Sequence, residues 1–389
     1  MRIAVYGGTF NPPHLGHVQA VRSVIDCLHP DKILVMPTCL APHKEMSPDT
    51  PSPEERLELC RLAFGDLPGV EISELEIRRQ GKSYTSDTLL ELKALYPEDE
   101  ITFVMGTDMI LSLETWHEPE TVMANATLAV LLRGDPEDGQ VAAHAAYLRE
   151  TYHARIQILS APVCPAASTD IRERLKQGGG RNLLPEPVYA RIVKMREYEV
   201  KADLDWLREQ AKAMLLPKRV PHVMGCAEEA VRLAQRWGED PYEAEAAGIL
   251  HDITKKCTLA EQLLLCEKYG IMVDTPVAAA EKAMHQITGA AVAYYEYGVS
   301  PAVRDAIRWH TTGRPDMTQL EKIIYLADYI EPTRSFDGVE PLRKLSYEDL
   351  DGAMELGLQM SMEELQSRGA PILEVSAQAY AWFKNRREG

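Results

Sequence analysis

The sequence predicts two domains of different class, a doubly wound parallel α/β sheet of Rossmann-like pattern followed by an all-α domain. Three observations predict this. Residues 1–199 alternate short apolar runs with amphipathic stretches, the pattern of a parallel sheet covered by helices on both faces. Residues 200–389 keep helical periodicity alone, broken at Gly and Pro. A chain of 389 residues also exceeds what one compact core ordinarily holds. The boundary falls at residues 197–203, where "REYEVKADL" links the two patterns, while "LKQGGGRNLLPEP" reads as a joint between two helices of the first domain.

Along the first domain, "RIAVYG", "KILVMPT", "ITFVMGTD", "TLAVLLRG" and "RIQILSAP" each read as a short strand closed by turn-forming or polar residues. Between them, "SPEERLELCRLAFG" reads as a helix in which Ser52 is the N-cap, Pro53 suits the first turn and Glu55 completes a capping box. In the second domain, "DLDWLREQAKAMLLP", "EAEAAGILHDITKK", "AAEKAMHQITGAAVAYYEYG", "SPAVRDAIRWHTTG" and "TQLEKIIYLADYIEP" all read as helices. No internal repeat or low-complexity segment interrupts either half.

Charge and cysteine usage bound the function. The formal net charge is −17, and it is shared: 20 Lys and Arg against 29 Asp and Glu in residues 1–200, and 22 against 30 in residues 201–389. Neither half offers the basic surface that a nucleic acid polymer or an anionic membrane requires, whereas a small phosphorylated ligand needs only a local pocket. Seven cysteines without a CxxC pair read as reduced thiols of a cytoplasmic protein. The opening "MRIAVYGG" is too short for a signal peptide, and no apolar run reaches membrane-spanning length.

Two constellations carry chemistry. The first, "GGTFNPPHLGH", follows a strand and leads into a helix. Glycines at such a junction let backbone N–H groups approach phosphates, and the helix N-terminus adds partial positive charge. His14 and His17, three apart, share a face of the first turn and can donate hydrogen bonds to a polyphosphate. The second comprises His222, His251, His285 and His310, each within a helical segment, with Asp252 directly after His251 and Asp328 in "YLADYIEP". Asp328 falls beside the apolar stripe of Leu320, Ile323, Ile324 and Ala327, and His251 falls on an inward face. Burying imidazoles and carboxylates without partners is costly, and metal coordination is one resolution. Imidazole with carboxylate suits iron, manganese, zinc or cobalt better than magnesium.

On these residues the first half resembles the nucleotidyltransferase family, whose signature includes the HxGH of "GGTFNPPHLGH". "SYTSDTLLEL" and "GTDMILSLETWHEPE" are similar to segments of the bacterial nicotinate-mononucleotide adenylyltransferases. The resemblance, over residues 1–195, implies adenylyl transfer from ATP, accompanied by Mg2+, to nicotinate mononucleotide, with pyrophosphate released. It implies that Gly7, Gly8, Thr9 and Phe10 cradle phosphate together with His14 and His17. His43 and Lys44 follow the second strand, with Lys44 near phosphate charge. Backbone at Tyr84 and Thr85, with Trp116, would hold the nicotinate ring and its carboxylate; Gly106, Asp108 and Arg133 are further nucleotide contacts. "STDIRERL" resembles the second signature, with Ser168 and Thr169 at a helix start and Arg172 reaching the triphosphate. Here "AAST" replaces the usual "ISST", one hydroxyl fewer. Another transferase of this fold, such as a pantetheine-phosphate adenylyltransferase, is the alternative.

Over residues 203–389 the pattern H…HD…H…H…D resembles the HD-domain phosphohydrolases, and its neighbours resemble the YqeK family in particular. That resemblance implies symmetrical hydrolysis of diadenosine tetraphosphate to two ADP with two ions of iron or another divalent transition metal. It assigns His222, His251, Asp252 and Asp328 to one ion, and His285 and His310 to a second, with Asp252 bridging. Arg219, Lys255, Lys256 and Arg334 are either phosphate contacts or solvated cations at helix ends. Pro221, directly before His222, fits if the helix begins there. A metal- or nucleotide-binding sensor, or a hydrolase of other nucleotides, remains an alternative, and monomer and homo-oligomer are both left open.

Overall fold

The computed structural model describes residues 1–42, 46–133, 139–161, 166–273 and 281–388. Chain contacts divide them into two compact units, Met1–Lys201 and Ala202–Gly389.

In the first unit six parallel strands run in the order β3-β2-β1-β4-β5-β6. They are β1 (Arg2–Gly8), β2 (Lys32–Pro37), β3 (Val70–Ile72), β4 (Glu100–Gly106), β5 (Thr127–Arg133) and β6 (Ile156–Ala161). β1 sits centrally, with Val5 paired to Leu34 of β2 on one side and to Phe103 of β4 on the other. The chain reverses its direction of winding between β1 and β4, and ligands in such sheets bind beyond the carboxyl ends of the strands at that point. Five strands match apolar runs of the sequence. The sixth, β3, is three half-exposed edge residues in "VEI", too short and too polar to stand out.

Side-chain alternation splits the core in two. Ile3, Val5, Leu34, Phe103 and Val130 pack on one face, while Ala4, Tyr6, Ile33, Val104 and Leu131 pack on the other. The covering helices that bear on function are α1 (Leu15–Leu28), α2 (Pro53–Phe64), α3 (Leu75–Arg79), α4 (Thr85–Leu95), α5 (Thr107–Leu111), α6 (Pro119–Asn125), α7 (Gly139–Tyr152), α8 (Ser168–Lys176) and α9 (Glu186–Met195). Ser52 caps α2 by accepting from the backbone N–H of Glu55 at 3.1 Å. The Glu55 carboxylate does not close the expected capping box; it takes both donors of Arg191 on α9 at 2.8 Å, because a bidentate guanidinium outcompetes one backbone N–H.

The second unit is helical: α10 (Leu204–Met214), α11 (Val220–Trp237), α12 (Pro241–Leu250), α13 (Leu259–Lys268), α14 (Glu281–Tyr297), α15 (Pro301–Trp309), α16 (Gln319–Ile330), α17 (Val339–Glu348), α18 (Leu350–Ser367) and α19 (Glu374–Glu388). Pro221 lies in the first turn of α11, where its missing N–H costs nothing. One expectation is corrected. His251 and His310 are not inside helices but just past the ends of α12 and α15. No helix among the described residues is long and apolar enough to cross a membrane. The described cysteines, Cys27, Cys39, Cys60, Cys226, Cys257 and Cys266, are free thiols.

α11 and α12 approach closely because Gly248 has no side chain. A Cβ there would stand 2.6 Å from the Ala227 Cα and 3.0 Å from its nitrogen. Backbone cannot yield as a side-chain tip can, so Gly248→Ala should destabilise the helical unit by roughly 1–3 kcal/mol, the usual cost of overpacking. Urea unfolding of the two proteins checks this, and an unchanged midpoint would contradict the helix spacing.

Candidate active sites

At the carboxyl edge of the sheet, β1 runs into "GGTFNPPHLGH". His14 is the N-cap of α1 and is 3% exposed. Its ring stacks on that of His17, with centroids 3.6 Å apart and planes 28° apart. The backbone N–H of His14 donates to His17 Nδ1 at 3.2 Å. An imidazole nitrogen that accepts carries no proton, so the neutral His17 ring keeps its proton on Nε2 as a donor. Phe10 holds the other side of His17 edge-to-face at 5.1 Å.

The second motif folds back onto this loop. Ser168 and Thr169 open α8; Ser168 Oγ donates to the Pro12 carbonyl at 3.1 Å, and Arg172 Nη1 donates to the Asn11 carbonyl at 2.8 Å. Arg172 is 9% exposed and bonds Thr169 Oγ1 as well, at 3.3 Å. Segments some 160 residues apart in sequence thus form one wall. Beside it lies a cavity of about 310 Å³. Gly7, Gly8 and Thr9 line it from β1, with Tyr84, Thr85 and Trp116. Thr85 opens α4, so its backbone N–H has no partner within the helix and suits a carboxylate. Gly106 ends β4 beside this edge and caps α5, which carries the exposed Asp108. His43 and Lys44 lie outside the described residues, as does the side chain of Arg133.

In the helical unit, six side chains converge. His222 Nε2 stands 3.0 Å from Asp328 Oδ1 and 3.9 Å from Asp252 Oδ2; His251 Nε2 stands 3.5 Å from Asp252 Oδ2 and 3.8 Å from Asp328 Oδ1. On the other oxygen, Asp252 Oδ1 faces His285 Nε2 at 3.1 Å and His310 Nε2 at 3.7 Å. The two oxygens of one fully buried carboxylate therefore address two different pairs of imidazoles. Local structure aims the rings. Past the ends of their helices, His251 Nδ1 donates to the Gly248 carbonyl and His310 Nδ1 to the Ile307 carbonyl, both at 2.7 Å. Both carbonyls belong to a last turn, whose C=O groups lack the regular N–H four residues on; the Ile307 carbonyl takes the His310 backbone N–H as well, at 3.5 Å. Nε2 of each ring then points inward.

The electrostatics fit a cation. Burial would raise Asp252, but His251, His285 and His310 hold it well below the usual carboxylate range; His222 and Arg334 do the same for Asp328. Burial pushes His285 down to about 4 and lowers His310. Ionised carboxylates and neutral imidazoles are the forms that ligate metals. His251 departs from this: burial is outweighed by Cys226 and Asp252, which hold it well above its ordinary value, as expected where carboxylates converge.

The residues present fit metal ions on two further counts. His222 Nε2, His251 Nε2 and Asp252 Oδ1 are buried and stand 3.0–3.5 Å from opposite groups without a well-aligned hydrogen bond, an arrangement that coordination to an ion would satisfy. His285 Nε2 and His310 Nε2 face each other at 3.0 Å. That is about the separation of two nitrogens each roughly 2.1 Å from one shared ion. Two overlapping sets have the spacing to hold an ion, His222, His251 and Asp328, or His251, Asp252 and His310; they share His251, whose one remaining ring nitrogen can serve only one ion. At the rim, Arg219 Nε donates to Asp252 Oδ2 at 2.6 Å, Arg334 Nη2 to Asp328 Oδ1 at 2.7 Å, and Lys255 Nζ lies 2.9 Å from His285 Nε2. Lys256 turns away, to the Ala213 carbonyl.

Comparison with known proteins follows the same division. Residues 5–174 match the cytidylyltransferase-like family and residues 219–333 the HD domain family. A protein of Lachnoclostridium phytofermentans named probable nicotinate-nucleotide adenylyltransferase is 35% identical over 194 residues, 50% of this chain and 96% of that one. One of the same name from Symbiobacterium thermophilum is 37% identical over 51% of this chain and 95% of its own. The chain belongs to the nicotinate-nucleotide adenylyltransferase family. Its second half is an HD domain. There, a solved structure from Clostridium acetobutylicum, described as a predicted HD superfamily hydrolase involved in NAD metabolism, is 34% identical over 47% of this chain and 97% of its own, with a TM-score of 0.46.

Behind the motifs of the nicotinate-nucleotide adenylyltransferase family and the HD pattern stand residues that belong to neither motif. Arg56 is 1% exposed and donates to the carbonyls of Thr9 and Thr38, both at 2.7 Å, and of Cys39 at 2.9 Å. It thereby ties the loop after β1 to the loop after β2. Its signal was a cation on the apolar stripe of α2, four residues before Cys60 and eight before Phe64. In the HD domain, Glu331 is fully buried and its Oε1 lies 3.0 Å from His222 Nδ1. Thr333 donates to both oxygens through its N–H and hydroxyl, at 2.7 and 2.5 Å. Gly225 on α11 leaves room for the carboxylate, since a Cβ there would meet Glu331 Oε2 at 2.7 Å. An acid at the C-terminal end of a helix opposes the helix dipole, and that was the available signal. Partners that orient ligating histidines typically govern metal affinity by 10–100-fold. Glu331→Ala should therefore lower divalent-metal affinity about 10–100-fold with the helical content intact. Elemental analysis after dialysis, beside circular dichroism, checks this; undiminished metal content would remove Glu331 from the site.

Proposed function

We propose that the chain is bifunctional. The first unit transfers the adenylyl group of ATP to the phosphate of nicotinate mononucleotide, giving nicotinate adenine dinucleotide and pyrophosphate. The second hydrolyses diadenosine tetraphosphate to two ADP.

The observation that supports the first activity is the junction of loop and cavity, with Gly7, Gly8 and Thr9 common to both. A phosphate oxygen of the acceptor attacks the α-phosphorus of ATP, and pyrophosphate leaves with the electron pair of the broken bond. No side chain bonds to phosphorus, so catalysis consists of alignment and charge stabilisation. His17 Nε2–H and His14, with backbone N–H groups of the loop, are the donors to the triphosphate. Lys44, His43 and Arg133 join them in this reading, and Arg172 holds the loop while meeting the phosphates. ATP arrives with Mg2+, which offsets part of its charge. Thr85 N–H takes the ring carboxylate and Trp116 the ring.

For the second activity the supporting observation is Asp252, whose two oxygens face separate imidazole pairs. His222, His251 and Asp328 would hold one ion, and His285 and His310 a second, with Asp252 between them. Bound iron, or another divalent transition metal, supplies an activated water and neutralises phosphoryl charge. Arg219, Lys255 and Arg334 at the rim would receive the outer phosphates. Water adds to a phosphorus next to the central bridging oxygen, which leaves on the other half, so each product carries two phosphates.

Replacing one preorganised donor typically costs 10²–10³ in rate. His17→Ala should slow adenylyl transfer by roughly a hundredfold, while the same preparation still cleaves diadenosine tetraphosphate at the wild-type rate, with ADP as sole product. Chromatography of both reactions decides. Transfer at the wild-type rate would remove His17 from the phosphate cradle, and AMP with ATP as products would refute symmetrical cleavage.

A further inference from the structure

The cavity beside β1 holds two features that shape alone does not require. Four rings line it, from Tyr84, Phe103, Trp116 and His117. Tyr84 and His117 face each other at 4.3 Å with planes 40° apart, and Phe103 and Trp116 stand edge to face at 6.3 Å and 84°. Aromatic faces carry the negative part of the ring quadrupole, and several around one space attract a cation.

The second feature is a carboxyl group in the same wall. Glu76 lines the cavity and is 6% exposed. Its Oε1 accepts from Thr88 Oγ1 at 2.8 Å, while Oε2 is buried without a well-aligned hydrogen-bond partner, the Ser83 hydroxyl standing beside the carboxyl group. A buried carboxyl oxygen left so is costly unless something brings it a donor or a positive charge. The neighbouring cation does not supply it: Arg79 donates to Thr88 Oγ1 at 2.8 Å and pairs with Glu91 at 3.2 Å.

We propose that Glu76 is a specificity-determining residue which, with the aromatic walls, reads the positive charge of the acceptor's pyridinium ring. This rests on the mononucleotide acceptor proposed above. The glycosidic bond to the ring nitrogen makes that ring a delocalised cation. The 1,4-dihydro form of the same mononucleotide keeps the carboxylate, ribose and phosphate on a neutral ring. Groups that read shape, carboxylate or phosphate treat the two forms alike, and a carboxylate beside the ring does not. The cavity then carries a group of each sign, Thr85 N–H and Glu76, for a ligand that bears both.

Calorimetric binding of the full chain to the oxidised and dihydro mononucleotides, for wild type and Glu76→Gln, tests this. Glutamine keeps the size and can still accept from Thr88, and ATP binding at wild-type affinity verifies that the variant is folded. The wild type should prefer the oxidised form about tenfold, the scale of a desolvated cation–π and carboxylate contact, and E76Q should lose most of that preference by weakening the oxidised form alone. Equal weakening of both forms, or an intact preference, would overturn the role of Glu76. A wild type that binds ATP but neither mononucleotide would instead overturn the acceptor reading, and the proposal with it.

Discussion

The proposed reactions both require positive potential held in place around polyphosphate, in a chain whose net charge is −17. The two units meet this constraint in opposite ways. In the first, the charge is built from the chain itself. Arg56 is buried against three carbonyls and, among the described residues, has no carboxylate partner. Burial lowers its affinity for the proton, yet a guanidinium starts so high that it stays charged. Each carbonyl drawn towards Arg56 turns the N–H of the next residue, in the same peptide unit, the other way, since the two are antiparallel in a trans peptide. One buried cation thus fixes both loops at the end of the sheet and adds charge beneath them. The N-termini of α1, α4 and α8 act in the same sense.

In the second unit the polarity is reversed: one carboxylate, Asp252, is fully buried and another, Asp328, largely so, and cations must be recruited to them. Asp252 and Asp328 are stabilised as anions because imidazoles and the guanidinium groups of Arg219 and Arg334 surround them. Removing a fully buried carboxylate from water costs several kcal/mol, so it persists only with close partners. The rest of the helical unit follows from assembling those partners. Gly248 draws α11 and α12 together, which places His222 near His251; Glu331 and Gly225 fix the His222 ring from behind. Arg343 donates to the carbonyls of Ile330, Glu331 and Arg334, and so holds the turn after α16 that carries two of these groups.

The legible part of this architecture was what local sequence controls. Apolar runs gave five of the six strands, and the two histidine patterns stood out because each function-bearing residue lies in a short motif. What stayed hidden depends on long-range contact. β3 forms only because β2 offers it an edge. Glu55 abandons its own cap for Arg191, 136 residues on. Arg56, Glu76 and Glu331 each look like ordinary charged residues of a helix or its end, and only tertiary packing shows them buried. Periodicity continues through His251 and His310 and predicts helix there, whereas their rings bond last-turn carbonyls and the helices end one residue before them.

The central claim is that one chain carries two chemically separate centres, one working through its own donors and the other through recruited metal. Asp252→Ala separates them most directly, with metal content, tetraphosphate hydrolysis and adenylyl transfer measured on a single preparation. The account predicts loss of bound transition metal and of hydrolysis, with adenylyl transfer close to wild type, because no residue of the first centre lies in the helical unit. Undiminished hydrolysis in a metal-free variant, or adenylyl transfer lost together with the metal, would contradict it.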